Sequence, residues 1–276
     1  MKTFILYVLL FLLTASAGLH AQTYEEMIGK SYDYVDKNDL PAAEEALKAA
    51  MRLEPANRYN YALLTNLGTV QRRQGKLEDA LVSYTAALSQ HPDNELILEN
   101  RAELYAALGE PENALNDYQT LLMINPVHEE ALYHRGLLHI QMENFLLAEA
   151  DFEKILAINN DTMQGRLGYA ILEKMRKNYN ESERILDYLI SKKPAYWRLY
   201  EERAELYFLM NKNGRAMADL NKVFAEESEP SAEIYVLRGK VKLAQYEKES
   251  AAIDFKKALS MGYDAKTIEN LLKQTY

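Results

Sequence analysis

Arginine and aspartate residues recur in pairs along this sequence, and the pairs are the first candidates for chemistry. In each pair the Asp follows the Arg by 16 residues: the pairs are Arg101 and Asp117, Arg135 and Asp151, Arg203 and Asp219, and Arg238 and Asp254. Evenly spaced guanidinium groups would form a basic ladder able to bind an anionic ligand. If each guanidinium bonds instead to the Asp of its own pair, the charges serve the fold.

Histidine and serine residues show no pattern typical of catalysis or metal binding. The sequence has 5 His and no Cys, which leaves no thiolate ligand, disulfide or cysteine nucleophile. His134 and His139 lie 5 residues apart and so diverge around a helix. No acidic residue completes a zinc-binding spacing, and no serine lies in a Gly-x-Ser-x-Gly turn. We therefore predict no catalytic residue, no metal site and no cofactor, and a protein that is not an enzyme.

The elements that must position these side chains repeat along the chain. A small residue at the start of a predicted second helix recurs as Ala43, Ala80, Ala114, Ala148, Ser182, Ala216 and Ala251, and four of the six spacings are 34 residues. A small residue in the preceding helix keeps step with it, as Ser31, Gly68, Ala102, Gly136, Ala170, Ala204 and Gly239. A large residue in the second helix does the same, as Leu47, Tyr84, Tyr118, Phe152, Leu186, Leu220 and Phe255. Agreement among the three registers predicts repeated pairs of amphipathic helices.

The stretch from Tyr61 to Asn94 shows this repeat most clearly. Gly75 ends its first helical pattern, as a residue that tolerates left-handed backbone should. The residues that stand where a tetratricopeptide repeat (TPR) has its signature are Leu64, Gly68, Ala80, Tyr84, Ala87 and Pro92. The sequence therefore closely resembles the TPR family.

The resemblance implies an all-α fold, a right-handed α-solenoid (superhelix) of seven TPR helix hairpins with a C-terminal capping helix. We place the repeats at about residues 24–57, 61–94, 95–128, 129–162, 163–196, 197–230 and 232–265, and the capping helix at residues 266–276. Residues 22–276 contain no linker rich in Gly, Ser or Pro, which predicts a single array. The three extra residues between the first two repeats, Arg58 to Asn60, are expected to add nearly one helical turn.

The repeat alignment also bears on the Arg and Asp pairs. Where the Arg is replaced, by Lys30, Leu67 or Tyr169, the Asp is replaced too, by Ala46, Ser83 or Ile185. Matched presence and absence favours a bridge between the two helices of each hairpin over a ladder that binds anions.

The N-terminus has the features of a signal peptide, which we place at residues 1–21. Lys2 precedes an apolar run from Phe4 to Leu13, and small residues follow. Cleavage after Ala17 or after Ala21 fits the pattern, and an uncleaved membrane anchor is the alternative. We expect export to the periplasm or the cell exterior, as a soluble protein after cleavage. The net charge of -9 argues against a nucleic-acid partner.

The TPR resemblance implies that inward-facing residues of the first helices bind the partner. We predict a partner-binding groove made of Arg72, Glu99, Glu103, Tyr133, Leu137, Ile140, Leu167, Ile171, Glu201, Glu205 and Phe208. An apolar strip flanked by glutamates suits a protein or peptide with an apolar centre and basic ends. In the alternative, curvature buries part of the strip and neighbouring bases such as Arg73 neutralise the glutamates. The clamp that some TPR proteins use to bind a C-terminal carboxylate lacks its Lys and Arg residues here.

These features predict an exported TPR scaffold that binds a protein or peptide partner in its groove and mediates complex assembly. Two alternatives remain open at this point: a signal-anchored assembly factor of the cell envelope, and a non-catalytic accessory subunit of an enzyme complex. Membrane contact is expected only if the signal segment is uncleaved.

Overall fold

The chain folds into short helices that pair as antiparallel hairpins. A computed structural model describes residues 23–275, which contain fifteen α-helices, one 3-10 helix and no β-strand. The predicted signal peptide and its two cleavage sites lie outside the described residues. The chain divides into two compact units, one ending at Pro126 and the other beginning at Val127. We call them unit 1 and unit 2.

The described part of unit 1, residues 23–126, contains three hairpins. Their helices are α1 (Tyr24–Asp36), α2 (Leu40–Leu53), α3 (Asn60–Arg73), α4 (Leu77–Gln90), α5 (Glu95–Ala107) and α6 (Pro111–Ile124). Each odd-numbered helix packs against the helix that follows it, and α3 also touches α5. The first helices of the second and third hairpins therefore lie side by side.

Unit 2 contains four hairpins and a final helix. The hairpins are formed by α7 (Glu129–Gln141), α8 (Phe145–Ile158), α9 (Met163–Met175), α10 (Tyr179–Lys192), α11 (Trp197–Leu209), α12 (Asn213–Glu226), α13 (Ala232–Ala244) and α14 (Lys248–Ser260). The final helix is α15 (Ala265–Leu272), with a 3-10 turn over Lys273–Thr275. First helices again touch one another, α7 with α9 and α11 with α13.

The predicted fold class, all-α with stacked helix hairpins, is confirmed. The handedness of a superhelix and the continuity of one array over residues 22–276 stay predictions. Among residues 23–275, no helix has both the length and the apolar character that a membrane crossing requires.

The connection between the first two hairpins differs from the prediction of an added helical turn. Helix α3 begins at Asn60, and Arg58 and Tyr59 lie in a turn before it. The Asn57 side chain accepts a hydrogen bond from the backbone N–H of Tyr59 at 2.9 Å. The Asn60 side chain donates to the backbone carbonyl of Glu54 at 2.8 Å. Asparagine side chains that bond to nearby backbone groups compete with helix formation, and here the turn prevails.

The small and large residues of the repeat meet where the two helices of a hairpin cross. A Cβ atom added to Gly136 would lie 2.5 Å from Cε1 of Phe152, and one added to Gly68 would lie 2.7 Å from Cε1 of Tyr84. A Cβ atom added to Gly168, in the next hairpin, would lie 2.4 Å from Cδ1 and Cε1 of the same Phe152 ring. Phe152 is fully buried, so its ring is enclosed by glycines of two successive first helices.

Gly168→Ala is therefore expected to lower the free energy of unfolding by roughly 1–3 kcal/mol, because the methyl group overpacks a site without free space. Gly29→Ala is the matched control, since Gly29 also lies within a helix but nothing approaches its Cβ position within 4 Å. That substitution should stabilise the protein by about 0.5–1 kcal/mol through helix propensity alone. Chemical denaturation followed by circular dichroism measures both changes. A stabilising effect at position 168 would contradict the close packing described here.

The last helix covers the end of unit 2. Ile268 of α15 is fully buried in a cluster with Val236, Phe255 and Ala258. Leu271 and Leu272 pack against the same cluster. The predicted apolar residues of the C-terminal segment therefore face the preceding hairpin, as a capping helix requires.

Candidate functional site

Each Arg and Asp pair forms a two-point bridge across its own hairpin. In every pair Nε and Nη2 of the Arg donate to the two carboxylate oxygens of the Asp. For Arg135 and Asp151 the distances are 3.0 and 2.6 Å, and for Arg203 and Asp219 both are 2.8 Å. The same geometry joins the other pairs, Arg101 with Asp117 and Arg238 with Asp254. The prediction of an internal bridge is confirmed.

The carboxylates of these bridges are buried, so the bridges contribute to the fold. The four Asp residues are 1–5 % exposed. The hydrogen bond to Asp117 raises the pKa of Arg101. Burial opposes the charge of Arg203, but its bonds to Asp219 and Asp187 outweigh that effect and raise its pKa. Because each guanidinium is already bound at two points, these arginines are not a free ladder for an anionic ligand.

A second set of ion pairs joins first helices of successive hairpins. In unit 1, Nη1 of Arg72 lies 2.7 Å from Oε2 of Glu103. In unit 2, Lys174 pairs with Glu205 and, at 2.7 Å, with Glu202. Arg72 and Lys174 occupy the same repeat position, and each acid, Glu103 or Glu205, lies 31 residues further on. The chain thus uses one position for ionic contact between neighbouring first helices.

These pairs correct the expectation that Arg73 neutralises the glutamates of the groove. Arg73 donates to the side chain of Asn38 instead, at 2.9 Å. Arg72, one residue earlier and about 100° away around the helix, binds Glu103. Glu99 also has a partner within the chain. Glu201 is the exception among the glutamates predicted to flank the groove. No residue in 23–275 forms a hydrogen bond or an ion pair with it.

A cavity of about 490 Å³ opens on the first-helix face of unit 2. We call it the Trp197 cavity. Tyr133, Leu167 and Glu201 contribute to its wall from α7, α9 and α11, and they occupy one repeat position at intervals of 34 residues. The other lining residues are Glu130, His134, Met163, Gln164, Tyr196, Trp197, Arg198, Glu202, Ser231 and Ile234. The wall is therefore both aromatic and acidic.

Burial sets the electrostatics of this cavity. Desolvation, with a further contribution from Glu202, raises the pKa of Glu201 to about 7, although Arg198 and Lys174 oppose the shift. Burial also raises the pKa of the Tyr133 hydroxyl. The Lys174 side chain is only 5 % exposed. Burial opposes its charge, but Glu202 and Glu205 outweigh that effect, so its pKa is raised. Glu201 is thus an acid whose ionised form is poorly compensated within the fold.

A second cavity, of about 330 Å³, shares Glu201, Glu202 and Ile234 with the first. We call it the Phe208 cavity. Its other lining residues are Glu205, Phe208, Leu209, Glu233, Val236, Leu237, Lys240 and Tyr263. The two cavities follow each other along the first-helix face of unit 2, with Glu201 lining both.

The predicted groove residues fall into distinct groups. Arg72, Glu99 and Glu103 lie in unit 1, and the remaining eight lie in unit 2. In unit 2, Tyr133, Leu167 and Glu201 line the Trp197 cavity, and Glu201, Glu205 and Phe208 line the Phe208 cavity. Leu137, Ile140 and Ile171 line neither, and Ile140 is only 6 % exposed because it packs into the core. Partner binding by the predicted set stays a prediction.

The predicted groove omitted residues at the start of the first helices of unit 2. Tyr196, Trp197 and Arg198 all line the Trp197 cavity, as do Glu130 and Gln164. Residues three or four apart share a face of a helix. Glu130, Gln164 and Arg198 stand three residues before Tyr133, Leu167 and Glu201. The same helical spacing, extended by one turn towards the N-terminus, would have found them.

His91, His128 and His134 each contact a neighbouring residue of the fold. The ring of His91 lies 3.8 Å from that of Tyr61, and Nδ1 of His128 accepts the backbone N–H of Ala131 at the start of α7. His134 lines the Trp197 cavity, with Nε2 3.9 Å from Oε2 of Glu130. Within residues 23–275 no group of three or more His, Asp or Glu side chains is placed to hold a metal ion.

Comparison with known proteins links the chain to one family. The family model for the tetratricopeptide repeat matches residues 65–125 and 100–162. A crystal structure of a tetratricopeptide repeat protein from Parabacteroides merdae is 67 % identical, with a TM-score of 0.84. The alignment covers 92 % of this chain and 99 % of that one.

More distant structures share the fold alone. PilW, a type IV pilus biogenesis factor, is 21 % identical with a TM-score of 0.60, over 77 % of this chain and 98 % of its own. The Cut9–Hcn1 hetero-tetramer of the APC/C includes a chain that is 13 % identical, with a TM-score of 0.64, over 95 % of this chain and 57 % of its own. A comparison with the sequences of curated proteins found no significant match.

Proposed function

This chain belongs to the tetratricopeptide repeat family, and on that basis we propose that it is an exported scaffold that binds a protein or peptide partner on the first-helix face of unit 2. Binding there would bring the partner into a larger complex, without catalysis by this chain. Two proteins of similar fold support an assembly role. PilW is named as a pilus biogenesis factor, and Cut9 was crystallised within a hetero-tetramer.

One observation carries the proposal: the Trp197 and Phe208 cavities adjoin on one face and share Glu201. Apolar side chains that keep exposed surface, such as Trp197, Phe208 and Leu209, line them beside carboxylates. Apolar surface in a groove gains stability only when a partner covers it. A segment several residues long, with apolar side chains and positive charge, has the chemistry that complements this face.

Export is supported by the basic, apolar and small-residue pattern of residues 1–21. The mass of the chain purified from its native host decides between a cleaved protein, shortened by 17 or 21 residues, and an uncleaved anchor. The proposed binding face lies in unit 2 and does not depend on that outcome.

Photo-crosslinking from a defined position tests the binding face. A photo-reactive amino acid replaces Gln164, a polar residue that lines the Trp197 cavity. The matched control replaces Ile253, which lies on the second helix α14 of the same unit and is 67 % exposed. We expect position 164 to capture a discrete protein when the purified chain is irradiated with envelope extract, and position 253 to capture none.

Competition completes this experiment. Excess unlabelled wild-type chain must abolish the crosslink from position 164, because a specific partner is limiting. Circular dichroism must show that both labelled chains retain the wild-type helix content. Equal capture from both positions, or capture from position 253 alone, would place the binding surface elsewhere on the chain.

A further inference from the structure

The Trp197 cavity combines aromatic rings with the carboxylate of Glu201. Tyr133, Tyr196 and Trp197 supply the rings, and each is partly buried. The face of an aromatic ring attracts cations, and Trp does so most strongly. Glu201 lies in the same wall without a hydrogen bond or ion pair to any residue of the described chain. Rings and carboxylate therefore favour the same kind of ligand group.

The cations already present do not satisfy Glu201. Lys174 is buried and bound to Glu202 and Glu205. Arg198 is exposed at the cavity, and its guanidinium carbon lies 5.3 Å from the ring centre of Trp197. It stacks on that ring without bonding to Glu201. A half-buried carboxylate without a partner is an unfavourable arrangement that an incoming cation would relieve.

We propose that the Trp197 cavity receives one arginine side chain of the partner, held between the carboxylate of Glu201 and the aromatic rings of Tyr133, Tyr196 and Trp197. Arginine fits better than lysine because its planar guanidinium both stacks on rings and donates two parallel hydrogen bonds to a carboxylate. This inference rests on the proposed function, since it names the side chain that the binding face recognises.

The electrostatics agree with this assignment. The pKa of Glu201 is raised to about 7 because burial penalises its charge. A guanidinium at the carboxylate would stabilise the charged form and lower that pKa. Arg198 acts in the opposite sense on the ligand, since a like charge beside the cavity repels an incoming cation.

A small probe tests the site without the natural partner. N-acetyl-arginine amide carries the side chain, and N-acetyl-citrulline amide is its neutral analogue of the same shape. Trp197 is the single Trp of the chain, so intrinsic tryptophan fluorescence reports on this cavity. We expect the arginine probe to bind with a Kd on the order of 1 mM and the citrulline probe to bind at least about tenfold more weakly. Saturation-transfer NMR on the probe detects binding that leaves the fluorescence unchanged.

Two substitutions are expected to change the affinity for the arginine probe in opposite directions. Glu201→Gln should weaken the arginine probe by about tenfold, and Arg198→Gln should strengthen it. Glu249→Gln, at an exposed position of α14, removes the same charge away from the cavity and should have little effect.

Equal binding of the arginine and citrulline probes, or no binding of either, overturns the proposal. The same holds if Glu201→Gln leaves the affinity for the arginine probe unchanged, or if N-acetyl-lysine amide binds as tightly as the arginine probe. These outcomes are separable from a failure of the proposed function. A partner that still crosslinks from position 164 while the arginine probe fails would show that the face binds its partner without an arginine in the Trp197 cavity.

Discussion

Replacing Arg135 with Met is expected to lower the free energy of unfolding by roughly 3 kcal/mol, because the carboxylate of Asp151 loses its partner in a buried site. Asp151 is only 4 % exposed and accepts both of its bridging hydrogen bonds from Arg135. The Arg135 side chain is 24 % exposed, so water reaches part of the pair. The loss should therefore fall at the lower end of the range of about 3–5 kcal/mol for broken buried pairs.

A double-mutant cycle separates the bridge from the packing of its side chains. Asp151→Leu alone leaves a guanidinium without its partner, and Arg135→Met with Asp151→Leu leaves neither charge. The double variant should lose much less stability than the sum of the two single losses, as measured by urea denaturation. A coupling energy under about 0.5 kcal/mol would contradict a stabilising bridge and bring the anion-binding ladder back into consideration.

Two further arginines provide matched comparisons. Arg238→Met should have a smaller effect than Arg135→Met, because Lys242 also contacts Asp254, with Nζ 2.8 Å from Oδ2. Arg184→Met should leave the melting temperature unchanged, since Arg184 and Glu181 form an exposed pair on one helix. An effect at Arg184 as large as that at Arg135 would indicate that loss of positive charge, and not loss of the bridge, destabilises the protein.

Ile268→Asp is expected to destabilise unit 2 by at least about 3 kcal/mol, because it removes a fully buried aliphatic side chain and places a charge in its site. Ile268 is 0 % exposed and packs with Val236 and Phe255. Deletion of residues 265–276 removes α15 altogether and uncovers the same cluster. Both variants should self-associate, since the apolar end of the last hairpin is then open to a second molecule.

Light scattering and sedimentation measure this association, and thermal denaturation measures the loss of stability. Glu269→Ala is the control, because Glu269 is the exposed neighbour of Ile268 on the same helix. A truncated chain that stays monomeric with an unchanged melting temperature would show that α15 does not act as a cap.

The sequence alone predicted the helix hairpins and their crossings. Each crossing depends on a local rule: a small residue such as Gly136 must face a large one such as Phe152 for the helices to approach. The same holds for the Arg and Asp pairs. Residues 16 apart stand at matching heights on either side of a hairpin turn, so the pairing of Arg135 with Asp151 follows from spacing within one repeat.

Contacts between successive hairpins were decided by the tertiary structure. Arg72 binds Glu103 and Arg73 does not, although the two arginines are neighbours in sequence. Consecutive helical residues point about 100° apart. If a contact is assigned to a residue one position too early or too late, the chosen side chain faces elsewhere and not towards the next first helix. The repeat pattern determines how often such contacts occur but does not identify which of two adjacent side chains makes them.

In the Trp197 cavity, too, some features follow from the sequence and others were decided by the tertiary structure. The sequence placed Tyr133, Leu167 and Glu201 on one face, because they share a repeat position. The structure showed that Trp197 and Arg198 line one cavity with these residues. It also showed that, among residues 23–275, none forms a hydrogen bond or an ion pair with Glu201, while Lys174 binds Glu202 and Glu205. Periodicity is a property of one helix, whereas a cavity and the pairing of its charges depend on the distances between several helices, which local sequence does not determine.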